Sequence, residues 1–134
     1  MQKQITILLV DDDDDDLHSF QSALDNIKIT AECITAASGS EAIYKLSSDP
    51  AFLPEYIFLD LMMPAMDGKK CIGEIRKIKN NKHTPIIIHS SGDLKKDAAE
   101  LIKTGASFYY QKPNTVDELT NILKKVLSAH VSKK

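Results

Sequence analysis

Apolar positions along this chain fall into blocks that switch between two periods, short continuous runs and longer stretches spaced by three and four. Ile5 to Val10 is a nearly unbroken β-branched and leucine run, the pattern of a strand covered on both faces. Leu17, Phe20, Leu24 and Ile27 follow at helical spacing, with Asp14 or Asp15 available as N-cap and Asp16 in the first turn. Residues 32–37 predict a second strand, less apolar and therefore nearer an edge. Ser38-Gly39-Ser40 caps a helix through Ala42, Ile43 and Leu46, which Asp49-Pro50 ends. The third strand spans Tyr56 to Asp60, and Asp67 caps a helix carrying Cys71, Ile72, Ile75 and Ile78. Residues 85–89 form the fourth strand, and Asp93 caps a helix with Ala98, Leu101 and Ile102 that stops at Gly105. Residues 107–111 form the fifth strand, followed by a helix with Val116, Leu119, Ile122, Leu123, Val126 and Leu127.

Strands alternating with helices predict an α/β fold, a doubly wound five-stranded parallel sheet with right-handed crossovers. A length of 134 residues fits one domain, over 4–128, with a short tail at 129–134 and no output domain. The composition, 43% hydrophobic and 27% charged, excludes a disordered chain. A net charge of −2 excludes a general pull toward nucleic acid or anionic membrane, and no membrane or export segment is visible. Cys33 and Cys71 cannot make a disulfide framework, so a reducing, cytoplasmic setting is expected. The near-neutral total hides an asymmetry: residues 1–67 carry 3 Lys against 13 Asp and Glu, and residues 68–134 carry 13 Lys and Arg76 against 6.

Ligands of open parallel sheets sit at the carboxyl ends of the strands. The first strand there ends in Asp11 and Asp12, the third in Asp60, the fourth in Ser90, and the fifth in Gln111 and Lys112. Three carboxylates, a hydroxyl and an amine thus converge on one rim. Anions held together call for a cation, and hard oxygen donors suit Mg²⁺, which accepts phosphate as a co-ligand. A carboxylate can attack phosphorus and form an aspartyl-phosphate. The metal, a lysine and a hydroxyl would then balance the phosphoryl oxygens. Asp13 to Asp16 are read as capping and helix-dipole residues.

With these motifs in order, the chain resembles the receiver domain of two-component response regulators, the family of the chemotaxis response regulator, over about residues 4–128. The resemblance rests on Leu9-Val10-Asp11-Asp12, on Leu59-Asp60-Leu61-Met62-Met63-Pro64-Ala65-Met66-Asp67-Gly68, on Pro85-Ile86-Ile87-Ile88-His89-Ser90, and on Gly105-Ala106 through Lys112-Pro113. It implies the flavodoxin-like strand order 2-1-3-4-5. It further implies that Asp60 is the phosphoacceptor, that Asp12 ligates Mg²⁺ directly and Asp11 through water, and that the Met62 backbone carbonyl is another ligand. Ser90 would hydrogen-bond the phosphoryl group, Lys112 would pair with it, and Tyr109 would move inward as the switch aromatic. Met63-Pro64 and Asp67-Gly68 would shape the loop after the third strand.

His89 stands where relatives usually carry an apolar residue, and is read as a hydrogen-bonded strand-end histidine. Asn114 replaces a phenylalanine common after Lys-Pro, which weakens any link to the transcription-factor branch. The expected function is that of a single-domain response regulator, not an enzyme acting on a metabolite. It would take a phosphoryl group from a sensor histidine kinase or a phosphotransfer protein and change its surface for a downstream protein. DNA binding and membrane insertion are not expected, and the chain would be a monomer or weak homodimer. Lys95, Lys96, Lys103, Lys124 and Lys125 make the expected output surface suited to an acidic partner. The alternatives are a shuttle within a multistep relay and a pseudo-receiver that works without phosphorylation. A dehalogenase-like phosphatase needs an acid at position 62, which is Met, and a flavodoxin-like carrier would not place aspartates beside its cofactor phosphate.

Overall fold

The apolar run at the start of the chain forms β1 (Ile5–Val10), and the aspartates after it start α1 (Asp14–Asp25). They are followed by β2 (Ala31–Ala36), α2 (Gly39–Ser48), β3 (Tyr56–Asp60), α3 (Gly68–Lys77), β4 (Ile86–Ser90), α4 (Ala98–Thr104), β5 (Phe108–Gln111) and α5 (Val116–Val126). This is a computed structural model, and it describes residues 4–62, 68–78, 83–92 and 98–128. The expected caps Asp67 and Asp93, the Met63-Pro64 turn, Lys95, Lys96 and the 129–134 tail lie outside the described residues.

The five strands form one parallel sheet in the order β2-β1-β3-β4-β5. β3 and β4 are buried along their whole length, as continuous apolar runs require in a sheet covered on both faces. Alternate side chains feed two cores. On one face Leu8, Val10, Ile57, Leu59, Ile86 and Ile88 meet α2, α3 and α4. On the other, Ile7, Leu9, Phe58 and Ile87 meet α1 and α5, with Phe20 set edge-on to Phe58 at 4.9 Å. Each of these large side chains is worth roughly 2–5 kcal/mol against truncation to alanine.

Several boundaries move by a residue. The N-cap of α1 is Asp13, not Asp14 or Asp15, and its side chain accepts from the amides of Asp15 and Asp16. Six identical letters give no local signal to separate one cap from the next; the end of β1 decides it. Ile27 and Ile78 lie just beyond their helices, and each still closes a turn through its amide, to Leu24 and Ile75. Ile102 is 46% exposed, so the apolar stripe of α4 rests on Leu101. Gly105 does end α4 as expected. Its φ of +133° is closed to most side chains, and its amide donates to the carbonyls of Leu101 and Ile102.

The amino end of the sheet is clamped by one side chain. Arg76, from the last turn of α3, donates from Nη1 to the Thr84 carbonyl at 2.6 Å and from Nη2 and Nε to the Gly105 carbonyl at 2.6 and 3.2 Å. These bonds join α3 to the chain entering β4 and to the chain entering β5.

Candidate functional site at the carboxyl rim

Each strand that faces the rim ends where its apolar run gives out, and the first polar residue is left at the mouth. Asp11 follows β1, its amide donating to the Ala36 carbonyl of β2. Asp60 closes β3 opposite His89 of β4, and Ser90 closes β4 opposite Gln111 of β5. Asp11 and Asp60 are 1% and 4% exposed, and Ser90 is fully buried. Oxygen atoms of Asp11, Asp12 and Asp60 lie within 4.8 Å of one another, with Asp12 open to solvent. Two buried carboxylates and one exposed one, at the mouth of a sheet, fit a hard divalent cation that keeps some of its waters.

Lys112 is the counter-ion now. Its Nζ lies 3.0 Å from Asp11 Oδ2, 3.0 Å from Asp60 Oδ2 and 2.6 Å from Asp16 Oδ2. Burial by itself would lower the Lys112 ammonium, but Asp16, Asp11 and Asp60 outweigh it and hold it above its ordinary value. Burial pushes Asp11 up to about 6, and the nearby Asp60 carboxylate adds to the rise, while the Asp13 amide and Lys112 oppose it. Asp11 Oδ1 accepts from the Asp13 amide at 3.0 Å, and Asp60 Oδ1 from the Met62 amide at 2.9 Å. Each acid therefore has one oxygen fixed by backbone and another facing the shared space. Ser90 Oγ accepts from the Gly92 amide at 3.1 Å. The Lys112 amide donates to the Ser90 carbonyl at 2.7 Å, so the two residues are tied through their backbones.

The structure thus brings together Asp11, Asp12, Asp60 and Lys112, and sets Ser90 beside them at the end of β4. Met62 is 60% exposed at the rim. Tyr109 is half-buried on the α4 face of the sheet, packed on the same core as Ile88, the neighbour two before Ser90 on that face. Its ring stacks on the exposed Phe108 at 6.3 Å.

Three features were not anticipated. Asp16, read as a helix-dipole residue, makes the shortest contact to Lys112. Its N3 position on α1 gives no hint of this, because the two residues stand 96 apart in sequence. Tyr110, rather than Tyr109, is the buried aromatic of β5; strand alternation could have flagged it. His89 is buried and stacks on Tyr110 at 5.8 Å, with Nε2 3.9 Å from Asp11 Oδ2. Burial, with the Lys112 charge adding to it, holds the imidazole far below its ordinary value, although Asp60 and a hydrogen bond to the Val10 backbone pull the other way. It is a neutral ring near pH 7. Among the described residues, its Nε2 and the Tyr110 hydroxyl have no hydrogen-bond partner. Both line a cavity of about 120 Å³ between α1 and α5, together with Asp16, Phe20, Lys112 and Leu119. At about 30 Å³ per water, roughly four waters fit there.

Comparison with known proteins agrees with this rim. The family model described as the response regulator receiver domain matches residues 7–124, and the chain belongs to that family, the signalling modules of two-component systems. The protein PilG of Pseudomonas aeruginosa is 35% identical over 104 residues, covering 78% of this chain and 72% of PilG. The sensor histidine kinase CheAY of Helicobacter pylori is 29% identical over 119 residues, covering 89% of this chain but 14% of the kinase. Among solved structures, the phosphorylated cyanobacterial phytochrome response regulator RcpA superposes with a TM-score of 0.84 at 26% identity, covering 96% of this chain and 94% of RcpA. The chemotaxis response regulator CheY4 of Vibrio cholerae gives 0.78 at 26%, covering 92% and 99%. The receiver domain of the histidine kinase PA1611 of Pseudomonas aeruginosa, solved with a magnesium ion in its active-site cleft, gives 0.74 at 25%, covering 94% and 99%. Among the described residues no helix is long and apolar enough to cross a membrane.

Proposed function

We propose that this chain is a phosphoacceptor switch in which Asp60 receives a phosphoryl group from a histidine kinase or a phosphotransfer protein. The observation that carries the reading is the set of three acids, two of them buried, within 4.8 Å of one another and closed by a lysine 3.0 Å from two of them. Mg²⁺, as in the PA1611 receiver, would be held by Asp12, Asp60, the Met62 carbonyl and, through water, Asp11, and would supply charge for the transferring oxygens. The free oxygen of Asp60 attacks phosphorus as the phosphorus–nitrogen bond of a phosphohistidine breaks, and the departing imidazole nitrogen keeps the electron pair and takes up a proton. Lys112, already beside Asp60, donates to the oxygens of the transferred group. Ser90 turns from the Gly92 amide toward that group. Tyr109, on the same face of the sheet, fills the space that Ser90 leaves, and so couples the rim to the surface of α4, β5 and α5. Lys103, Lys124 and Lys125, all exposed, suit that surface to an acidic partner protein. The protein would act in the cytoplasm as a monomer or weak homodimer, and would turn over no metabolite.

The test is labelling with acetyl phosphate. One Mg²⁺-dependent, base-labile phosphoryl group per chain is expected, and none in Asp60→Asn, which keeps the shape but loses the anionic nucleophile. Labelling of that variant at the wild-type rate would place the acceptor elsewhere.

A further inference from the structure

Lys112 carries three N–H donors, and here three carboxylates face them. Two of the three, Asp11 and Asp60, belong to the group that can share a metal ion; Asp16 does not. Asp16 stands at N3 of α1, where an acid ordinarily reaches back to the cap of its own helix. Its Oδ2 instead spans from α1 to the segment between β5 and α5 and takes the shortest of the lysine's contacts, at 2.6 Å. The lysine is also free to lean that way, since the cavity between α1 and α5 opens beside both residues.

We propose that Asp16 is a positioning residue, a latch that holds the Lys112 ammonium on the α1 side and competes for it with an anion arriving on Asp60. This rests on the phosphoacceptor reading of Asp60. Once a divalent cation draws Oδ2 of Asp11 and Asp60 away from the ammonium, Asp16 is the remaining carboxylate partner of the lysine among the described residues. A phosphoryl group on Asp60 needs the same N–H donors, so the lysine must turn from Asp16 to meet it. Asp16 thereby has two effects of opposite sign. Its negative charge offsets the lysine beside the metal cluster and favours a cation there, while its grip on the lysine disfavours the anion.

The experiment titrates the amide chemical shifts of the full chain, first with Mg²⁺ alone and then with beryllofluoride at saturating Mg²⁺. Asp16→Asn keeps the shape and removes the charge. Its beryllofluoride affinity is expected to rise by about fivefold and its Mg²⁺ affinity to fall by a smaller factor, the range of a partly exposed ion pair. Asp16→Glu, which keeps the charge, should return both affinities to within about twofold of wild type. Asp15→Asn makes the same change in net charge at an exposed neighbour and should move the beryllofluoride affinity by less than about twofold. An unchanged or weaker beryllofluoride affinity in Asp16→Asn overturns the latch, and so does an equal gain in Asp15→Asn. Wild-type protein that fails to bind beryllofluoride, or Asp60→Asn that still binds it, overturns the phosphoacceptor reading and the latch with it. Wild-type binding that is intact and lost in Asp60→Asn, with no gain in Asp16→Asn, removes the latch alone.

Discussion

The two ends of the sheet are built on opposite rules. At the amino end the charged group, Arg76, donates to the Thr84 and Gly105 carbonyls, and each of these bonds joins two pieces of chain that must stay together. At the carboxyl end one lysine is divided among three acids, Asp11 is held neutral more easily than a free carboxylate, and two buried polar atoms, on His89 and Tyr110, lack partners among the described residues. The first arrangement is satisfied as it stands. The second is short of positive charge and gains from any cation that enters. One fold can hold both because the cores between them, on either face of β3 and β4, are continuous and apolar. Crowded, buried acids at the rim cost stability that the remainder of the sheet supplies.

This contrast predicts different responses to mutation. Arg76→Ala removes the three hydrogen bonds to the Thr84 and Gly105 carbonyls and should cost about 2–3 kcal/mol, seen as a melting temperature lower by roughly 10 °C. Acetyl phosphate labelling of the folded variant should be unaltered, and a loss of labelling comparable to that of a rim variant would mean that the two ends are not independent.

At the rim the sign is reversed. Asp11 binds its proton more tightly in the folded chain, so its contribution to stability is fully present below about pH 4 and is lost as pH rises through about 6. Without metal, Asp11→Asn should therefore melt above wild type at pH 7.5, by less than the Arg76 effect, and the gap should close toward pH 4. A gap that widens on acidification would contradict the assigned shift. Mg²⁺ should stabilise wild type by about 1.4 kcal/mol at ten times its dissociation constant. Asp12→Ala should abolish that gain, and an unchanged melting temperature in millimolar Mg²⁺ would remove the metal assignment. The smallest effect concerns Tyr109. Tyr109→Ala and Ser90→Ala should still bind Mg²⁺ but show weaker self-association or partner binding on loading with beryllofluoride. Wild-type responses from both would favour a relay shuttle over a surface switch.

Much of this molecule is legible in the sequence, for identifiable reasons. β1 and β3 are buried on both faces, so their apolar runs start and stop where the structure does. β2 lies at the edge and is half-polar, and its observed span, Ala31–Ala36, begins and ends a residue before the expected one. The rim acids could be read because strand ends place them: a residue that follows a buried run emerges at the mouth of the sheet whatever else surrounds it. Asp16 could not. Its role depends on the face of α1 that turns toward Lys112, and that face is fixed only when the Asp13 cap and the packing of Phe20 and Leu24 set the rotation of the helix. His89 and Tyr110 fall between these cases. Their burial follows from β4 and β5 alternation, but the lack of partners for Nε2 and the hydroxyl is a property of the cavity between α1 and α5.

The bond from the Lys112 amide to the Ser90 carbonyl has a consequence for tempo. It fixes the end of β4 to the chain that follows β5, beside the point where the Lys112 side chain reaches the acids. In the proposed switch neither strand has to slide for either side chain to respond, so the response would be a change of rotamer about a stationary frame. A change of rotamer is a smaller movement than the domain hinging or local unfolding that takes microseconds to seconds. The duration of a phosphorylated state at this rim would then be set by the chemistry of the bond made there and by how long a partner stays, and not by inertia in the fold.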